Sequence, residues 1–241
     1  MTTVRTDGLQ HAGGWWLPAS DEHMARWVTA SDVFDGRGTY QYPKLVGAIG
    51  ALRRWRTAID VGAHIGTWSW VLAHLFHRVH AIEPVPLHVT SLRLNTADRP
   101  EVVIHPVAAG RAAGHVALAT TARNTGESWV TGAGQLTMQP IDALDLWDID
   151  LMKLDCEGYE GFVLDGALRT IEREWPVIII EQDPQYPSRH NLTSTYALDR
   201  LRRLGYVERA RWRYDYLMVH PFSYHAQHAS APAPVWPPVS T

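Results

Sequence analysis

Apolar positions fall into short blocks along this chain, and the period within the blocks switches between helix and strand. Leu45, Val46, Ile49 and Leu52 recur at helical spacing and predict a helix over 42–55, placed to cover the sheet edge before the first strand. The run from Ala58 to Val61, apolar apart from Asp60, predicts a buried strand over 57–61. The same reading gives helix 67–76, strand 79–83, helix 87–97 and strand 102–107, then strand 149–154, helix 160–173, strand 177–181 and helix 194–204, which Gly205 stops. Strands alternating with helices imply right-handed crossovers and a parallel sheet. The β-like runs 206–211 and 214–219 are too close for a crossover helix and predict an antiparallel hairpin. Between strand 102–107 and strand 149–154, 110–140 breaks the rhythm with five glycines among small polar residues, which predicts short antiparallel strands and a mobile loop. The expected architecture is α/β: a mostly parallel central sheet with helices on both faces and a C-terminal antiparallel hairpin.

This pattern divides the chain into an N-terminal extension with cap helices (1–55), a core (56–221) and a Pro/Ala-rich tail expected to be disordered (222–241). At 241 residues and 46% hydrophobic side chains the chain can bury a full single-domain core. A formal net charge of −3 without a long Lys/Arg run argues against a nucleic-acid partner. No stretch approaches the ~18 apolar residues of a membrane span, no export signal is visible, and the single cysteine, Cys156, rules out an intrachain disulfide framework. The expected location is therefore the cytoplasm; the oligomeric state, a dimer included, stays open.

Candidate chemistry changes the picture most at Asp60-Val-Gly-Ala-His-Ile-Gly66. A strand that opens into a glycine turn and then a helix is a nucleotide-binding turn, its glycines letting the backbone approach a ligand. Dinucleotide folds place glycine at the third turn position; here it is His64. The carboxylate of Asp60 suits a ligand bearing an ammonium group, such as the methionine part of S-adenosylmethionine, better than a pyrophosphate. Glu83 follows Gly62 by 83 − 62 = 21 residues, close to the interval of ~20 that brings a second-strand carboxylate to ribose hydroxyls. Further on, Asp155, Glu157, Glu181 and Asp183 end two buried strands and converge on the same sheet edge.

With Glu83-Pro84, Lys153-Leu-Asp-Cys-Glu-Gly158, Glu160, Leu164-Asp-Gly166 and Pro176-Val-Ile-Ile-Ile-Glu181, the chain resembles the FkbM family of S-adenosylmethionine-dependent methyltransferases over roughly residues 40–220. The resemblance implies a Rossmann-like class I methyltransferase and transfer of methyl groups to hydroxyls of a saccharide or small metabolite. It implies that Gly62, Ala63 and Gly66 approach the amino-acid part of the cofactor, that Asp60 holds the turn and that Glu83 binds the ribose. Tyr40 and Gln41 match a Tyr-containing stretch that closes over the methionine end. His64 stands where the family usually has asparagine.

Transfer to a hydroxyl needs a general base or a metal ion to stabilise the developing alkoxide. Asp155, Glu181 and Asp183 resemble the oxygen set that holds magnesium in catechol-type O-methyltransferases, which makes Mg2+ a candidate second cofactor. Asp155 and Glu181 are the candidate catalytic carboxylates, and His64 is the histidine to test as a base. Lys153 reads as structural, since facing carboxylates raise a lysine pKa. Trp129, Trp15 and Trp16 are candidates to line an acceptor pocket. Rival readings are an N-methyltransferase, a non-catalytic cofactor-binding module, and a nicotinamide-dependent oxidoreductase, which would need glycine at 64 and a Tyr/Lys pair at helical spacing.

Overall fold

The computed structural model describes residues 6–230. An N-terminal hairpin, β1 (Leu9–Ala12) and β2 (Trp15–Pro18), leads into α1 (Glu22–Ala30), a short ladder of β3 (Val33–Phe34) with β4 (Arg37–Gly38), and α2 (Tyr42–Gly50). The alternating part follows as β5 (Thr57–Val61), α3 (Thr67–Leu72), β6 (Arg78–Ile82), α4 (Pro86–Asn95) and β7 (Val102–His105). β8 (Ala108–Ala109), β9 (Gly114–Thr121) and β10 (Asn124–Gln139) form a separate three-stranded sheet. The chain returns to the main sheet with β11 (Ile149–Leu154), α5 (Glu160–Asp165), α6 (Leu168–Glu174), β12 (Val177–Glu181), α7 (Tyr196–Arg203), β13 (Val207–Trp212) and β14 (Asp215–Val219), and α8 (Tyr224–Gln227) follows.

The seven central strands lie in the order β13-β14-β12-β11-β5-β6-β7. The five from β12 to β7 are parallel, β14 runs antiparallel to β12, and β13 is antiparallel to β14 and so points the same way as the five; the mostly parallel sheet and its terminal hairpin are as expected. Strand alternation splits the core into two layers. Ala58, Leu151, Val177 and Ile179 pack with Leu45 and Ile49 of α2 and Trp70 of α3. Ile59, Met152, Leu154, Ile178 and Ile180 pack with Leu164 of α5, Ile171 of α6 and Leu201 of α7.

Four stretches differ from expectation. The helix over 42–55 stops at Gly50, because the following arginines are drawn beneath β5: buried Asp150 accepts hydrogen bonds from Arg54 Nε (2.8 Å) and from the Arg56 amide (2.8 Å). The helix over 160–173 is broken at Gly166-Ala167, where a Cβ on Gly166 would stand 2.0 Å from the Gly110 carbonyl oxygen. The second half is capped from elsewhere in the chain, with Asp142 accepting from the amides of Arg169 (3.1 Å) and Thr170 (2.8 Å). The stretch 110–140 forms a long irregular hairpin, β9 of 8 residues against β10 of 16, in place of short strands and a loop. The tail expected from 222 begins with α8, whose buried His225 accepts from the Arg53 amide (3.0 Å); residues 231–241 lie outside the described residues.

Candidate active site

The carboxyl ends of β5, β6, β11 and β12 open into a cavity of about 710 Å3, within the range of small-molecule sites. The β9–β10 hairpin contributes Leu118, Asn124 and Glu127 to its wall, and the N-terminal segment contributes His23, Met24 and Tyr40.

One end is built on the glycine turn. Gly62 (φ +74°) and Gly66 (φ +89°) occupy the left-handed region that disfavours other residues. Their missing side chains serve the protein's own packing: a Cβ on Gly62 would lie 1.9 Å from the Asp155 carbonyl oxygen, and one on Gly66 2.4 Å from Leu92 Cδ1. The turn amides are also engaged, Gly62 (3.0 Å) and Ala63 (3.2 Å) donating to the Ile82 carbonyl and His64 to Glu83 Oε2 (2.9 Å). Glu83 is buried, and its other oxygen accepts from the Val85 amide (2.9 Å) and His88 Nδ1 (3.2 Å). Burial opposes its charge, but the hydrogen bond and charge of His88 lower its pKa. Beside Glu83, Ile82, Pro84, Val85, Ala108 and Ala109 form an apolar slot.

Asp60 is placed differently from the charge argument made for it. It is fully buried and off the cavity wall, accepting from Ser69 Oγ (2.7 Å) and lying 3.3 Å from Lys153 Nζ. Asp60 and Lys153 are register partners on β5 and β11, so both project from the same face. The Lys153 ammonium is also 3.4 Å from Asp155 Oδ2, and despite burial these carboxylates raise its pKa, which fits a structural cation and not a base. Asp60 thus holds the turn through α3 and Lys153; its charge is used inside the protein. Asn95 is likewise structural, its amide donating to the Ile65 and Trp16 carbonyls (2.8 Å each).

The other end is acidic. Asp155, Glu157 and Glu181 each bring a carboxylate oxygen to within 4.8 Å of the others. Asp183 lines the cavity outside this set, turned back to accept from the Gln185 amide (3.0 Å) as Asp does in turns, and Glu157 takes the place expected for it. The turn that delivers Glu157 is built by its neighbours: Glu157 sits at φ +55°, Gly158 at φ +99° packs where a Cβ would meet Tyr186 backbone at 2.7 Å, and buried Glu160 accepts from the amides of Cys156 (2.8 Å) and Gly158 (3.2 Å). Glu157 Oε2 and Glu181 Oε2 are buried with no hydrogen-bond partner among the described residues. Burial, then the neighbouring carboxylates, push Glu157 up to about 9 and Glu181 up to about 11. Tyr40 faces the same cluster, its phenol pKa raised by burial and by Asp155. Gln41, at φ +54° ahead of α2, also lines the cavity.

Several residues escaped sequence reasoning. Lys44 of α2 pairs with Asp215 on the cavity wall, and Trp212, Tyr214 and Tyr186 add aromatic surface near the acids. Of the tryptophans expected there, Trp15 is core, its Nε1 donating to the Gly38 carbonyl (2.7 Å), and Trp16 hydrogen-bonds through its backbone to Asn95. Trp129 stacks under the Arg189 guanidinium (4.6 Å), off the cavity lining. The imidazole of His64 is turned to the Glu83 end, where it meets Thr125 Oγ1 (3.1 Å), Asp21 and the edge of His88 (ring centroids 4.3 Å apart).

The strand order, the glycine turn at the switch point beside β5 and the carboxylate ending β6 together define the class I methyltransferase fold. Residues 60–208 match the family model described as Methyltransferase FkbM domain, and the chain belongs to that family. No curated protein sequence matches it. Among solved structures it is similar to a methyltransferase FkbM from Methylobacillus flagellatus KT (22% identity, TM-score 0.47), over 69% of this chain but only 44% of that one. It is also similar to precorrin-6y C5,15-methyltransferase from Geobacter metallireducens GS-15 (16% identity, TM-score 0.44, covering 75% and 92% of the two chains). A third is the N-methyltransferase NodS from Bradyrhizobium japonicum WM9 in complex with S-adenosyl-L-homocysteine (10% identity, TM-score 0.44, covering 74% and 83%). Among the described residues no helix is long and apolar enough to cross a membrane.

Proposed function

We propose that the chain is an S-adenosylmethionine-dependent methyltransferase that methylates a hydroxyl of a saccharide or small metabolite. The observation that carries this reading is a single cavity with two unlike ends: Glu83 and an apolar slot at one, and Asp155, Glu157 and Glu181 at the other. The first end suits an adenosine group, with Glu83 toward the ribose and Pro84, Val85 and Ala109 around the base. Tyr40 and Gln41 close the methionine end. When bound, the cofactor supplies a methyl group on a sulfonium, already activated for displacement.

What remains for the chain is to orient the acceptor and remove its proton. Asp155, at the cluster and beside Lys153, is the group that accepts the hydroxyl proton. Without a cation at the cluster, burial and the neighbouring carboxylates raise the Glu181 pKa, so that it keeps its proton and can donate a hydrogen bond to the acceptor. The aromatic rings of Trp212 and Tyr186 offer stacking surface of the kind sugar rings use.

The buried, unpartnered oxygens of Glu157 and Glu181 fit a hard divalent cation such as Mg2+, which Asp155, Glu157 and Glu181 would hold and which would supply Lewis acidity at the acceptor oxygen. The same oxygens also fit the ammonium of an amine acceptor, which is why N-methylation is kept as a second reading.

Calorimetric titration with S-adenosylhomocysteine is the decisive test, with NADH in parallel and Mg2+ present or absent. Micromolar affinity for S-adenosylhomocysteine alone, about −8 kcal/mol, is expected; NADH binding, or binding of neither, overturns the reading. Mg2+ is expected to raise the thermal midpoint of the wild type and not that of Glu157→Gln; equal response of both refutes the cation site.

A further inference from the structure

The family match begins at residue 60, yet the cofactor end of the cavity is tied to a residue well before it. Asp21 is fully buried at the N-terminus of α1, where its Oδ1 accepts from the Met24 amide (2.8 Å). Its other oxygen, Oδ2, accepts from both the Thr125 amide (3.1 Å) and the Thr125 hydroxyl (2.5 Å) at the tip of the β9–β10 hairpin. That oxygen is also 3.5 Å from His64 Nε2. Since the Thr125 proton goes to Asp21, His64 Nε2 carries the proton that it shares with Thr125 Oγ1 at 3.1 Å, which sets its tautomer. Burial works against the Asp21 charge, but hydrogen bonds from His64 and Thr125 hold its carboxyl down to about 2.

One carboxylate therefore joins three segments: the N-terminal extension, the hairpin tip and the glycine turn. The extension grips the turn from a second side as well, for Asn95 bonds both Trp16 and Ile65. His64, fixed from one side by Asp21, donates its own amide to Glu83 and stacks edge-on against His88, which in turn donates to Glu83. His23 and Met24, next to Asp21, stand on the cavity wall.

We propose that Asp21 is a positioning residue for the adenosine half of the cofactor site, holding His64 and the tip Asn124–Gly126 against Glu83, so that the N-terminal extension is part of the site. This rests on the methyltransferase reading above. Without the Asp21 carboxylate the tip keeps the His23 amide on the Arg123 carbonyl (3.1 Å) but loses both bonds at Thr125, the His64 ring loses its charged neighbour, and the pocket around Glu83 must be ordered by the ligand at the expense of affinity.

The test compares binding of S-adenosylhomocysteine and of adenosine to wild type, Asp21→Asn and Thr125→Val, alongside thermal unfolding. Asparagine caps helices as well as aspartate does, so D21N is expected to unfold within a few degrees of wild type. It nevertheless presents an NH2 group where Thr125 donates, so its affinity for both ligands is expected to fall about tenfold. T125V, which removes only the hydroxyl at the hub, is expected to weaken both in the same direction and carries the test if D21N does not fold. Wild-type affinity, within about twofold, in a folded D21N or T125V overturns the proposal. Failure of the wild type to bind S-adenosylhomocysteine overturns instead the reading on which it rests.

Discussion

At the scale of single residues, charge at this site is arranged in two buried layers, and the distinction is visible only in space. Lys153 sits between Asp60 and Asp155 and also approaches the Gly62 carbonyl (3.3 Å), so it ties β5, the glycine turn and the acidic cluster together. Lys153→Met should leave Asp60 as an uncompensated buried charge and cost about 3–5 kcal/mol in urea unfolding. Adding Asp60→Asn should restore much of that loss; a single variant as stable as wild type would show that the pair contributes nothing. The sequence placed Glu83 and Asp155 at the sheet edge because strand ends are legible from apolar runs. It put Asp183 in the cluster, where the structure brings Glu157. That choice depends on a left-handed residue at 157 and on Asp183 capping its own turn, both set by loop geometry.

At the scale of elements, strands β5, β11 and β12 match their predicted spans, while helix ends do not. Strand limits follow from burial on both faces, which leaves a continuous apolar signature. Helix ends depend on neighbours: α2 stops where Asp150 captures Arg54 and Arg56, and the helix after β11 breaks where Gly166 meets Gly110. Gly166→Ala puts a methyl group against a backbone oxygen that no side-chain rotation can move. It should destabilise by about 2–3 kcal/mol, seen as a fall of about 4–12 °C in the thermal midpoint of a chain of this size; an unchanged midpoint would mean that the break has another cause. The glycine-rich stretch is antiparallel as expected, but its strands run longer than the local turn signals predict, for the opposite reason. Glycine and serine signal turns locally, yet the β9–β10 ladder is held by register with a partner strand and by Asp21 at its tip.

At the scale of the whole molecule, the edge of the sheet away from the cavity carries the second charged hub. Asp150, at the start of β11, is buried among Arg54, Arg56 and His225 of α8, and although burial opposes its charge, the hydrogen bonds from His225 and Arg56 bring its pKa down to about 2. A depressed carboxyl pKa contributes stability that is complete above about pH 4 and lost as pH falls through about 2, on the order of 2 kcal/mol for such a group. The stability gap between wild type and Asp150→Asn should therefore be constant from pH 7 to 5 and narrow below pH 4, measured by denaturant unfolding at each pH. A gap independent of pH would refute the assignment.

The fold class and the glycine turn were determined by the sequence alone, because both rest on local signals: the period of apolar residues and the glycines that a left-handed turn requires. Which carboxylates form the cluster, that Asp60 is spent on Lys153, and that Asp21 reaches the glycine turn were decided by tertiary structure. Those contacts join residues as far as 153 − 60 = 93 positions apart, and a pairing across such a distance leaves no periodicity in one chain.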